Sequence, residues 1–354
     1  MLLVTVVNLF RTKTVEFPIL FWLPWVLYMA VYLVVDFSML GLQLTLQYIL
    51  PLLIGVVVSG LVFTEEDLKW LFKWFGRLCI IIYAMFVYGY LLKGGYGPSA
   101  AATSMLFTIP VSIFSALWFM TRGKIYLLLI GILFLASVLQ MTRMGIAATS
   151  AIFILHFANQ SFRGKIIFGI FGVLIFIAVF NSKRFQEKTF YRGEGTLSDI
   201  TLDYYDNPDI RSSGRISWKN ALEPGLKAKP IWGNGPRADN AYLTKISQKR
   251  GGEAHNDYLS VRFNYGYVGM SLLLFGFAGT FISLYKVSRR NSESNYLWLL
   301  STSALTLFIS FLMFMYTDNI LKYTIYFPNY FFALIGVVYS LKRDEDISGN
   351  TTIQ

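Results

Sequence analysis

Charge is scarce in this chain. Asp, Glu, Lys and Arg make up 14% of its 354 residues, against about a quarter in soluble domains. Cysteine occurs once, at Cys79, inside an apolar stretch. That excludes an intrachain disulfide and any metal site built on cysteines. No tightly spaced pair of carboxylates reads as a divalent-metal site. Asp203 and Asp206 come nearest, and such sites need more ligands than two, so no metal and no cofactor are expected. No signal peptide is evident, because the apolar run Met1 to Phe10 is short and no basic segment precedes it. That run also fits the tail of a helix cut by a late start codon. The net charge is +11, but the basic residues do not form one face. They fall at the ends of apolar segments and in one polar segment, so no nucleic-acid partner is expected.

What is there instead is apolar surface. The chain is 55% hydrophobic and 17% aromatic, with a mean hydropathy of +0.53. A spanning helix needs about 20 mostly apolar residues. About ten such segments are visible, roughly 17–36, 42–63, 72–92, 101–120, 125–141, 144–160, 165–181, 258–285, 296–316 and 322–341. The expected fold is an all-α polytopic membrane protein with four parts: N-terminal helices over 1–181, an outer loop domain over 182–257, C-terminal helices over 258–341 and a cytoplasmic tail over 342–354. Lysine and arginine set the orientation. With the N-terminus inside, the inner loops and tails hold Arg11, Lys13, Lys69, Lys73, Arg122, Lys124, Arg163, Lys165, Lys286, Arg289, Arg290, Lys342 and Arg343. The short outer loops hold only Lys93, Arg143 and Lys322. The polar segment from about 181 to 257 then lies outside and is too long for a plain connection. Serines before Arg215 and the stretch Ala238 to Lys249 suggest a small helical cap.

Four features could carry chemistry. Arg143 sits between two apolar runs, and it reads either as a snorkelling interfacial arginine or as a functional charge. Arg215 stands at the start of a loop helix, where an anion is already favoured and a guanidinium adds a planar donor fork; the alternative is a solvated surface arginine. Gly233-Asn234-Gly235 is a tight turn. His255 lies in Gly252-Glu253-Ala254-His255-Asn256-Asp257-Tyr258-Leu259, at the return into apolar sequence. Its ordinary pKa of about 6.5 suits a base, with Asp257 or Glu253 to orient it. Alternatively, Asn256 or Asp257 simply caps the next helix. The other histidine, His156, reads as a packed core residue. Tyr191, Tyr204, Tyr205, Trp218 and Trp232 offer faces for sugars, although packing of the cap explains most of them.

The order of these motifs resembles the O-antigen ligase and O-antigen polymerase family of bacterial envelope proteins. An arginine ends an outward helix in Thr142-Arg143-Met144-Gly145. A long outer loop follows with Ser213-Gly214-Arg215, Trp218 and Gly233-Asn234-Gly235. Then come Ala254-His255-Asn256-Asp257-Tyr258-Leu259 and Tyr265-Gly266-Tyr267-Val268-Gly269. The resemblance covers about 140 to 275. The chain is short for the family, and Met144 stands where a small residue is usual. The resemblance implies a GT-C-like membrane glycosyltransferase, independent of metal, in the bacterial inner membrane with its site facing the periplasm. Its donor would be a glycan on undecaprenyl diphosphate. Its acceptor would be lipid A core for a ligase or a lipid-linked repeat for a polymerase. Carried over by position, His255 would be the catalytic base and Arg143 and Arg215 would bind the donor diphosphate, with Asn256, Asp257, Tyr258, Gly233, Gly235 and Trp218 in support. A lipid-linked oligosaccharide flippase is the competing class; it predicts midplane charges and repeated, broken helices. A non-catalytic scaffold would need none of these groups.

Overall fold

The computed structural model describes residues 16–92, 100–157, 162–199, 210–211, 215–247, 252–290, 296–323 and 327–351. Arg11, Lys13, Lys93, Asp203, Tyr204, Tyr205, Asp206, Ser213 and Gly214 lie outside these. Each of the ten apolar segments falls largely on a helix. In chain order these are α1 (Leu23–Val35), α2 (Met39–Ser59), α3 (Glu65–Leu92), α4 (Ala100–Thr121), α5 (Lys124–Leu139), α6 (Arg143–Phe157) and α7 (Phe162–Phe180). Three polar helices follow, α8 (Lys183–Thr189), α9 (Arg215–Ala228) and α10 (Ala238–Ser247). The chain then returns to apolar helices α11 (Asp257–Arg290), α12 (Tyr296–Thr317) and α13 (Phe327–Thr351). Among the described residues there is no strand, only a single antiparallel bridge between Phe190 and Ile210.

Five of these helices, α2, α3, α4, α11 and α12, are long and apolar enough to cross a membrane. The α7–α8 pair, bent by 69°, adds a sixth if it is one broken span, and α1, α5 and α6 are apolar but shorter. Helices of this kind mark an integral membrane protein. Helix α12 is the hub of the bundle and packs against α4, α6, α11 and α13. Its Phe308 and Phe311 meet Phe331 of α13 with ring centroids 5.4 and 4.7 Å apart. Between apolar helices in lipid, packing and short polar contacts hold neighbours together. Ser112 Oγ donates to the Ser303 carbonyl at 2.6 Å, and Ser310 Oγ donates to the Ala148 carbonyl at 3.2 Å. His156 is buried. Its Nε2 lies 3.2 Å from Thr306 Oγ1, and its ring stacks on Phe119. It is the packed core residue its surroundings suggested.

The segment expected as one helix over 258–285 is longer and broken. At Gly266 the backbone turns to φ 66° and ψ −165°, a conformation closed to side-chain-bearing residues. A break in a helix leaves orphan carbonyls and amides. Here the turn before α10 satisfies both sets. The amides of Asn234 and Gly235 donate to the carbonyls of Phe263 and Asn264, each at 2.9 Å. The amides of Tyr267 and Val268 donate to the carbonyls of Pro230 and Ile231 at 2.9 and 3.1 Å. Gly233 fits so closely that an added Cβ would strike the Asn264 carbonyl and the Gly266 amide. The first part of α11, up to Tyr265, is thereby tied to α9 and α10. Leu222, Leu226, Leu243, Ala254 and Phe263 form one buried cluster across them.

Candidate active site

The polar chemistry gathers on the short connection between α12 and α13. Apolar sequence ends at Thr317, and Asp318, Asn319 and Lys322 follow. Asp318 Oδ1 lies 3.1 Å from His255 Nδ1 and accepts from Tyr323 Oη at 2.8 Å. Burial alone would raise the Asp318 carboxyl, but hydrogen bonds from His255 and Tyr323 hold it below its ordinary range. As a carboxylate it can only accept, so His255 carries its proton on Nδ1. Nε2 is then left as the basic atom. The hydrogen bond to Asp318, opposed by burial and supported by the Asp318 charge, raises the His255 pKa above its usual value. The imidazole is about half exposed. His255 itself sits at φ 46°, in the left-handed region that histidine visits more readily than most residues. The Asn256 amide, donating to Asn319 Oδ1 at 3.2 Å, fixes the chain beside it.

Arg215 reaches the same connection. It is the first residue of α9, and its Nη2 donates to the Thr317 carbonyl at 2.7 Å. Thr317 and Asp318 are neighbours, so Arg215 and His255 meet there, and the Arg215 cation acts on the imidazole. A guanidinium at a helix N-terminus beside a basic nitrogen suits an anionic leaving group next to a hydroxyl that must lose its proton.

Arg143 does not end the outward helix. Helix α5 stops at Leu139, and Met141 takes φ 49° with its amide on the Val138 carbonyl. Its successor Thr142 donates to the Ser137 carbonyl. These bonds close the helix end tightly, and Arg143 opens the returning α6. Its Nη2 donates to the Arg211 carbonyl at 2.9 Å. Arg143 lies at the same end of the bundle as Arg215. The Ser310–Ala148 contact pins α12 to α6. At 1.5 Å per residue Arg143 is about 8 Å and Thr317 about 10 Å from that crossing, in the same direction along antiparallel helices.

The remaining expected residues have structural partners. Asn256 is the cap: its Oδ1 accepts from the Leu259 amide at 3.0 Å. Neither Asp257 nor Glu253 orients His255. The buried Asp257 side chain accepts from the Leu321 amide at 2.9 Å through Oδ2 and pins the far side of the same connection. Glu253 Oε1 pairs with Arg237 at 2.9 Å, and its Oε2 accepts from Asn319 Nδ2 at 3.0 Å. Tyr258 Oη donates to the Leu312 carbonyl. Trp218 packs against the buried cluster of α9 to α11, whereas Trp232 and Tyr191 are exposed. Gly233 and Gly235 lie in the turn that repairs the break in α11.

Sequence reading missed Asp318, Tyr323 and the ion pair behind them. Lys322 Nζ lies 3.4 Å from Asp239 Oδ2, with both side chains almost fully buried. Burial would raise Asp239, but Lys322 and hydrogen bonds from Ser260 and Asn264 hold it low. The available signal was the run Thr317-Asp318-Asn319 at the end of an apolar helix, 63 residues from His255. Spacing could not link the two. The expected last span also starts later than 322. Lys322 closes a 3₁₀ turn, and the helix begins at Phe327. Among the described residues, no three His, Cys, Asp or Glu side chains gather as ligands for a metal ion.

No curated protein matches the chain significantly. The family model described as O-antigen ligase matches residues 125–274, from the start of α5 into α11. That span holds Arg143, Arg215 and His255, and over it the chain is similar to the O-antigen ligase family.

Proposed function

We propose that this protein is a metal-independent glycosyltransferase of the bacterial inner membrane, GT-C-like in arrangement, with its site on the periplasmic face. It moves a glycan from an undecaprenyl-diphosphate-linked donor to a sugar hydroxyl. The observation that carries the reading is His255 held by Asp318 beside Arg215. The acceptor hydroxyl attacks the anomeric carbon of the donor glycan and gives its proton to His255 Nε2. The bond from that carbon to the diphosphate oxygen breaks, and the diphosphate leaves with the electron pair. A sugar hydroxyl is a poor nucleophile, so a positioned base accounts for about 10²- to 10⁴-fold of the rate. The diphosphate is already a good leaving group, and Arg143 and Arg215 neutralise its growing charge. Apolar helix faces accommodate the polyprenyl chain, and the cap over α9 and α10 positions the sugars.

His255→Ala and Arg215→Ala are each expected to abolish glycan transfer in an envelope-polysaccharide assay while both proteins still insert in the membrane. Full activity of the two variants rejects the mechanism. We favour the ligase activity, with lipid A core as acceptor. A defined lipid-linked repeat separates the two members of the family. Transfer only to lipid A core marks the ligase, and a ladder of longer lipid-linked chains marks the polymerase.

A further inference from the structure

Helix α3 carries a cationic and aromatic face at the end of the bundle away from the cap. An added Cβ at Gly41 would meet Pro236 at 3.0 Å, so α2 starts beside the cap. Its 21 residues run about 30 Å to Ser59, and α3 begins just beyond, at Glu65. The first turns of α3 therefore lie at the far end. Of the five long apolar helices α3 is also the least buried. Leu68 and Cys79 are buried on one side of it, and Phe72 stacks there on Tyr296 with ring centroids 6.1 Å apart. Its other side is open.

At about 100° per residue Trp70, Lys73, Trp74 and Arg77 share that open side, and Ile81 and Met85 continue it. All six are exposed. The Trp70 and Trp74 ring centroids are 6.1 Å apart, and the Arg77 guanidinium lies 4.7 Å from the centre of the Trp74 ring. A guanidinium over an indole uses its flat face and keeps its N–H donors at the edge. Lys69, off this face, is answered by Glu65 at 2.8 Å. Among the described residues no carboxylate pairs with Lys73 or Arg77. Glu66 shares the face, but it lies seven residues before Lys73, about 10 Å along the axis.

Two cations among amphipathic rings, followed by an apolar stripe, match one phospholipid molecule. Its phosphate meets Lys73 and Arg77, and its acyl chains run along Ile81 and Met85. A zwitterionic headgroup would bring its own cation beside theirs, whereas an anionic one brings none. A second copy docked here about a two-fold axis would set like charges against each other. We infer that the start of α3 is a binding site for an anionic phospholipid. By the orientation proposed above, the lipid belongs to the cytoplasmic leaflet. The site is independent of the transferase reading, and its occupant covers a helix that its protein neighbours leave open.

The test uses the full chain in phosphatidylcholine nanodiscs, with brominated phosphatidylglycerol added in rising fraction and tryptophan quenching as the readout. Half quenching is expected at a lower fraction of brominated phosphatidylglycerol than of brominated phosphatidylcholine. That preference is expected to vanish in the Trp70→Phe/Trp74→Phe double variant. Lys73→Gln and Arg77→Gln are each expected to raise the fraction needed for half quenching about fivefold, the loss of one cation near an anionic surface. Lys73→Arg keeps the unmodified curve, which a misfolded variant cannot do. Lys245→Gln, exposed on α10 in the cap, also leaves it in place. Equal responses to the two brominated lipids overturn the site, and so does an unchanged curve in both glutamine variants. A preference that survives in the double tryptophan variant places the lipid elsewhere and rejects the assignment. Inorganic phosphate separates a free anion from a headgroup. The phosphatidylglycerol curve is expected to hold when phosphate replaces chloride at equal ionic strength, and its displacement would make this a site for a soluble anion and reject the lipid.

Discussion

At the residue scale the decisive pair is His255 and Asp318. The carboxylate fixes which nitrogen carries the proton and lifts the pKa of the imidazole. In the proposed reaction His255 is the base and works only when unprotonated, so the acid limb of the activity profile should lie above the ordinary histidine value of about 6.5. Asp318→Asn removes the charge and the acceptor preference together. The expected result is a limb displaced toward lower pH and a turnover about 100-fold slower, from loss of the oriented base. A pH–rate profile of glycan transfer reads both. An unmoved limb with full turnover would remove Asp318 from the site. Asn256 is simpler. Its side chain caps the helix that follows, so Asn256→Ala should cost about 1 kcal/mol of stability. Thermal unfolding in detergent measures it. The sequence singled out His255 by its local motif and offered Asn256 or Asp257 as the cap, because a cap bonds a near neighbour. It did not show Asp318, because no local pattern joins residues brought together by a separate helix connection.

At the element scale the break in α11 sets the height of the site. Were 257–290 one straight helix, its outer end would extend from the bundle with no cap bound to it. The turn 230–235 instead fills the broken hydrogen-bond ladder from both sides. Gly266→Ala puts a side chain at φ 66° and drives its Cβ into the Ile231 carbonyl. A strained residue of this kind costs on the order of 1–3 kcal/mol before the clash is added. The variant is expected to lose thermal stability and glycan transfer together, and an unchanged melting temperature would show that the turn is not required. Apolar runs made the helices legible, since burial in lipid selects them by composition alone. The break was not legible. Tyr265-Gly266-Tyr267 is compatible with a straight membrane helix, and only the docking of a distant turn makes bending favourable.

At the scale of the whole molecule, cap and bundle are joined through a buried ion pair. Lys322 follows α12, Asp239 lies on α10, and Glu253 precedes His255; Lys322 meets the first at 3.4 Å and the second at 3.9 Å. Removing one partner of a buried pair leaves the other charge unsatisfied, at a cost of about 3–5 kcal/mol. Lys322→Met should therefore lower the unfolding midpoint clearly while leaving Arg143 and His255 in place chemically. A midpoint equal to the unmodified protein would mean that the pair contributes nothing. The family match spans 125–274 and stops before α12. The connection after α12, which carries Asp318 and Lys322, thus lies outside the matched region, although it completes the site.

The sequence by itself determined the all-helical membrane character, the polar segment between apolar helices and the family resemblance, and it singled out Arg143, Arg215 and His255 as the groups of interest. Those follow from composition, charge at segment ends and motif order, which are properties of the chain read locally. The tertiary structure alone decided what orients His255, where Arg215 anchors, and that Arg143 meets the Arg211 carbonyl. Hydrogen bonds and ion pairs depend on distances of a few ångströms. Between segments dozens of residues apart, only helix packing sets such distances.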